Sequence, residues 1–204
     1  MTKAVRRTGG LAVAAVLGLL TARPPDRLTA QDSLPAGYGT LKRDDIAVRL
    51  ASDQIELQVL PLDEQVIRLL APDTYRSLAM LITARRTAID SLARQLGLHH
   101  PTLVLVTFFG LVPQARFTPE DVNLGSSGQL FRPVGIVPLS PRWGSNQLDA
   151  REQATAIYVF EQGVSLREDL TISYQGMSSD AWARSARALD QERARVRGRA
   201  AASH

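Results

Sequence analysis

The sequence predicts a mainly β chain with added α: an antiparallel β-sandwich with a long helix inserted before its central strand and another helix at the C-terminus. Three observations carry this. Thr102–Leu111, TLVLVTFFGL, is the most apolar run outside the N-terminus. It is rich in β-branched and aromatic residues and bounded by Pro101 and Pro113, the pattern of a strand buried on both faces. Period-two runs lie on either side of it. No helical stretch separates the strands that follow it, as parallel α/β winding would require.

The N-terminus has the layout of a secretory leader. Lys3, Arg6 and Arg7 precede the uncharged block Leu11–Leu20, and small-residue sites end at Ala22 and Ala30. Cleavage after Ala30 is preferred, giving a signal peptide over 1–30 and Gln31 as first mature residue. Arg23, Pro24 and Pro25 end the apolar block before it reaches the ~20 residues of a membrane span. The expected location is therefore periplasmic or secreted, with no transmembrane span in the mature chain. The chain has no cysteine, which excludes a lipidated Cys and disulfides.

The net charge of +4 resides in that leader, which holds five basic groups and one acid. The mature chain carries 19 of each sign. Residues 183–204 hold six arginines against Asp190 and Glu192. A globally basic nucleic-acid binder is thus not supported. One lysine, Lys42, against 18 arginines in the mature chain reads as the codon bias of a GC-rich bacterial genome.

Residues 31–43, with Pro35, Gly37 and Gly39, lack periodicity and read as a flexible mature N-terminus. The domain is expected over 44–177. Ile46, Val48 and Leu50, then Ile55, Leu57 and Val59, alternate with polar residues around Ser52-Asp53, giving a hairpin with one solvated face. Asp63 suits a helix cap, and Pro72 restarts the helix at a first-turn position. Leu78, Leu81, Ile82, Ile89, Leu92 and Leu96 recur at helical spacing, and Gly97 stops the run. The helical insertion thus covers about 63–97.

After Thr102–Leu111, strands are expected at Leu130–Ile136, broken by Pro133, at Ala154–Phe160 and at Leu170–Tyr174. Residues 178–204 read as a C-terminal helix. Ser178 or Ser179 caps it, Trp182 docks on the domain, and the distal Arg-rich turns fray. Trp182, Ala186, Leu189 and Val196 share a stripe that Arg193 interrupts.

Phe117, Asp121, Leu124, Phe131, Glu152, Val159, Phe160, Leu170 and Tyr174 fall in an order that resembles the small immunoglobulin-like β-sandwich domains of bacterial secreted and surface proteins. In those, a Phe strand ends in a D-x-x-L-like element, an aromatic strand follows, an acid closes a loop, and strands ending in Val-Phe and in Tyr complete the sheet. The resemblance covers about 102–175. It implies a secreted, non-catalytic module and assigns no functional residue. The inserted helix departs from the pattern.

Catalytic motifs are missing. Gly125-Ser126-Ser127-Gly128 is one residue short of a nucleophile elbow and reads as a turn. Neither glycine-rich phosphate motif occurs. His99-His100 lie side by side on an extended segment, where side chains point opposite ways, so one metal would not use both. Asp44-Asp45 with Asp53 lacks the spacing of a calcium loop. The carboxylate pairs Asp63-Glu64, Glu120-Asp121 and Glu168-Asp169 read as caps and turns. No catalytic residue, metal site or cofactor is expected. The loop 138–149 places Arg142 beside Trp143, the composition of a partner-binding hot spot; the opposing reading folds Trp143 back over the end of the sandwich.

The expected function is an exported, non-enzymatic binding or scaffolding module of the bacterial cell envelope, with an unidentified envelope protein or polymer as partner. The alternatives are a carrier of an apolar ligand between helix and sheet, and a hydrolase. The carrier needs an apolar cavity beneath Leu78–Leu96. The hydrolase needs His99 or His100 clustered with Asp or Glu.

Overall fold

The computed structural model describes residues 34–166 and 170–202. The expected signal peptide and its cleavage site lie outside the described residues.

Helix α1 (Arg43–Ile46) leads into the hairpin of β1 (Val48–Ala51) and β2 (Ile55–Pro61). The hairpin pairs onto β3 (Thr102–Gly110), joining the same sheet as the central strand. Between them run α2 (Glu64–Ile67) and α3 (Pro72–Gln95). Asp63 caps α2 by accepting the Gln65 N–H at 2.8 Å, Pro72 occupies the first turn of α3, and Gly97 leaves it at φ +67°, which a glycine adopts without strain.

After β3 come β4 (Ala115–Arg116), β5 (Asn123–Ser126), β6 (Gln129–Phe131), β7 (Gly135–Pro138) and β8 (Gln147–Leu148). They are followed by β9 (Gln153–Phe160), β10 (Leu170–Tyr174), β11 (Met177–Ser179) and α4 (Trp182–Ala202). One sheet has the order β1-β2-β3-β9-β7, a second β11-β10-β5-β6, and β4 pairs with β8. All these ladders are antiparallel. The protein is a mixed α/β fold of mostly antiparallel sheets with a C-terminal helix, an arrangement compatible with a β-sandwich.

Strand β3 explains its own sequence. Residues opposite one another in an antiparallel ladder share a face. Leu57, Phe108 and Ala154 share one face, and the Phe108 ring lies 5.5 Å from Tyr174 of the second sheet. Leu103, Val159 and Gly135 share the other. There a Cβ on Gly135 would stand 2.2 Å from Leu92 Cδ2 of α3. A sheet and a helix cover opposite sides of β3, so its alternation disappears.

Several expectations change. The stretch 130–136 is not one broken strand. It is two strands in different sheets, with Pro133 in the crossing between them. The Phe strand that the resemblance implies around Phe117–Leu124 is two short strands, β4 and β5, with the 3-10 turn Pro119–Asp121 between them, and β8 and β11 are too brief to show a period. Ser178 and Ser179 belong to β11, though Ser179 Oγ still accepts the Ala181 N–H at 3.3 Å. Helix α4 stays helical to Ala202 instead of fraying, with Glu192 and Val196 buried in its distal half. Residues 34–42 are a packed strap where a flexible segment was expected. Leu34 is buried, its carbonyl accepts from Arg68 Nη1 at 2.6 Å, and Leu41 bridges to Leu70.

Candidate binding groove

The expected partner-binding pair is divided by the structure. Trp143 lies in a short 3-10 turn, Pro141–Ser145, and is 8% exposed. Its ring packs 5.8 Å from Phe108, 5.5 Å from Phe117 and 6.0 Å from Tyr158. Of the two readings of this loop, the structure takes the one that folds Trp143 back: its apolar ring closes the aromatic interior, so Trp143 does not stand out as an exposed anchor. Arg142 stays at the surface, 2.9 Å from Glu152.

Another group of chemistry-bearing residues is brought together around α3. A groove of about 770 Å³ runs between α2, α3, the start of β3 and the loop after β9. Leu62, Val66, Ile82, Ile89, Leu103, Val164 and Leu166 give it apolar walls. The spacing of Ile82 and Ile89, two turns apart, puts both on the sheet-facing side of α3. Leu62 is fixed to the sheet by its N–H on the Leu103 carbonyl at 2.9 Å. The opposite wall is held from both sides: Ser165 N–H donates to Ser126 Oγ at 3.0 Å, and Trp182 Nε1 donates to the Leu166 carbonyl at 3.2 Å.

The polar rim contains His99 and His100, both exposed, with Asp63, Glu64, Arg86, Asp90 and Arg193. The acids are engaged. Asp63 caps α2. Glu64 Oε1 accepts from Arg68 Nε at 2.7 Å and from the Tyr75 hydroxyl at 2.9 Å. That carboxylate is the main reason the Arg68 guanidinium and the Tyr75 phenol are both pushed up. Asp90 sits 3.5 Å from Arg86. Arg193 gives Nη1 to Asp190 at 2.5 Å, while its buried Nε has no acceptor.

The histidines thus share a groove with three carboxylates, the juxtaposition a hydrolase would need. Among the described residues neither imidazole is hydrogen-bonded to a carboxylate, and no group of three or more acids and histidines is placed to hold a metal ion. The groove can enclose an apolar chain and offer hydrogen-bond donors at its rim.

Sequence reasoning missed Arg193 as a rim residue. Its signal was visible as the interruption of the apolar stripe of α4: a charged residue on a docking face is one that the tertiary structure must partner. Among the described residues no helix is long and apolar enough to cross a membrane. No family model matches the chain, and comparison with curated proteins and with solved structures finds no match.

Proposed function

We propose that the protein is an exported, non-enzymatic binding module of the bacterial cell envelope, built on an immunoglobulin-like sandwich and binding a small amphipathic ligand between α3 and the sheet. The observation that carries this reading is the groove of about 770 Å³, whose volume suits a small-molecule ligand and whose apolar walls come from four separate segments. Each methylene buried there contributes about 0.8 kcal/mol. The leader-like N-terminus supports export.

Two experiments test it. Nile red, a neutral apolar dye, should bind the purified protein with one-to-one stoichiometry and lose most of its fluorescence gain with Ile82→Asp; unchanged binding by that variant removes the groove from the proposal. Mass spectrometry of protein from the envelope fraction should show Gln31 as first residue; an intact Met1 there sinks the export reading.

Scaffolding is a second reading, favoured by Leu130. This residue is 62% exposed on β6, an edge strand of the four-stranded sheet. An apolar side chain on an open strand edge is a docking feature for another envelope component. Leu130→Lys should then abolish a cross-linked envelope complex that the wild type forms.

A further inference from the structure

We propose that the ligand of the α3 groove is a long-chain carboxylate, its alkyl chain along Ile82, Ile89, Leu103 and Leu166 and its head group on Arg193. This rests on the groove being a ligand site and adds the chemistry of what occupies it.

The polar groups at the rim differ in whether the fold already satisfies them. Asp63, Glu64 and Asp90 each have a partner within the fold. The unsatisfied members are donors. Arg193 has one guanidinium nitrogen on Asp190 and a buried Nε–H with no acceptor. Its side chain is 16% exposed and reaches the groove from α4. Buried donors in native folds are nearly always paired. This Nε–H is itself closed off from solvent, so an incoming acceptor meets Arg193 at the part of its side chain that lines the groove; without one the guanidinium is short of partners. His99 and His100 add N–H groups to the same rim, since an imidazole always carries at least one.

An ionised carboxylate is the ligand head that matches. It only accepts, it can take two donors at once, and its bond to guanidinium is charge-assisted. A dianionic phosphate fits less well, because Asp63, Glu64 and Asp90 line the same groove and repel a second charge. The remaining walls are aliphatic, with no Phe, Tyr or Trp among the groove residues. That favours a flexible alkyl chain over a planar ligand.

The test uses laurate and dodecanol, which share a chain and differ in the head, titrated by calorimetry into the purified protein below their aggregation limits. Laurate should bind at least tenfold tighter than dodecanol. Arg193→Gln should remove that difference and leave dodecanol affinity unchanged, and Ile82→Asp should weaken both. Equal affinities for the two ligands in the wild type, still sensitive to Ile82→Asp, would overturn the carboxylate head while the groove stands. Failure of both ligands to bind would overturn the groove with it. Should Arg193→Gln not fold, carboxyl-labelled [1-13C]laurate bound to the wild type decides the matter. A head on Arg193 stays ionised to lower pH than free laurate, and a resonance titrating as free laurate does overturns the proposal.

Discussion

Glu192 of α4 accepts hydrogen bonds from both the backbone N–H and the hydroxyl of Thr40, each at 2.9 Å, across 152 positions of sequence. Arg199, two turns further along α4, donates to the same carboxylate at 2.9 Å and also to the Tyr38 carbonyl. Glu192 is fully buried. One carboxylate thus ties the strap 34–42 to the C-terminal helix, and the arginines expected to fray are part of what keeps α4 ordered. The second oxygen, Oε2, accepts no hydrogen bond and has only Arg195 at 3.6 Å.

This clamp makes stability depend on acid in a defined direction. Burial alone would raise the Glu192 carboxyl. The bonds from the Thr40 hydroxyl, Arg199 and the Thr40 amide outweigh burial and hold it below the usual glutamate value. A depressed folded-state value stabilises the fold above the unfolded-state value, and that stabilisation is lost as pH falls through the folded one. Glu192→Ala should cost roughly 3 kcal/mol at pH 7, because it leaves Thr40 and Arg199 unpaired. Urea midpoints from pH 7 to pH 3 should converge between wild type and Glu192→Gln. A constant gap would show that the charge is not what holds the strap.

The strap also depends on a close approach at Gly39. A Cβ there would lie 2.3 Å from both the backbone carbon and oxygen of Leu69 and 2.5 Å from the Leu70 oxygen. Backbone atoms cannot swing aside as a side-chain tip does. Gly39→Ala should therefore displace the strap and cost about 1–3 kcal/mol. Hydrogen exchange should show faster exchange at Leu41 and Ala71, whose amides pair across this contact, while β3 and β9 keep their protection.

Trp143 and Arg142 should separate cleanly. Trp143→Ala removes a ring that packs on Phe108, Phe117 and Tyr158, and should cost about 3–5 kcal/mol. Arg142→Ala removes a surface ion pair whose side chains are 61% and 31% exposed, and should cost less than about 1 kcal/mol. Thermal melts of the two variants check this. Equal losses would mean that Trp143 does not sit in the aromatic interior.

Tyr158 should stay silent in alkali until the protein unfolds. Its hydroxyl donates to the Pro119 carbonyl at 2.9 Å, and burial pushes it far above the usual phenol range. Tyr174, whose hydroxyl accepts the Thr118 N–H at 3.1 Å, is raised for the same reason. A raised folded-state value favours the fold at neutral pH and loses its effect as pH climbs through it. In a spectrophotometric titration Tyr158→Phe should match the wild type below the alkaline unfolding step. A phenolate signal that the wild type gives before that step and Tyr158→Phe lacks would show that Tyr158 ionises in the folded state.

Local residue pattern by itself determined the hairpin, the cap that Asp63 sets on α2, the helix α3 with Pro72 in its first turn and Gly97 beyond its end, and β3 as a strand covered on both sides. Each is written in local residues: alternation, a capping Asp63, a proline, a glycine, an unbroken apolar run. Only the tertiary structure decided where the chain changes sheets at Pro133, because strands of two to four residues carry no readable period. It alone turned Trp143 inward, since a tryptophan on a loop reads the same whether its ring meets solvent or Phe108. It alone made a strap of residues 34–42, through bonds from Glu192 that no local pattern announces. The groove was legible only as an alternative, an apolar cavity expected beneath Leu78–Leu96; its other walls and its rim belong to this second kind. Leu62, Ile82, Leu103, Leu166 and Arg193 are far apart in sequence, and their shared surface exists only because α3 and α4 pack where they do. Arg193, the residue that broke the apolar stripe of α4, was a further trace of it, since a charge on a buried face has to be answered by something that only the folded chain, or a ligand, can supply.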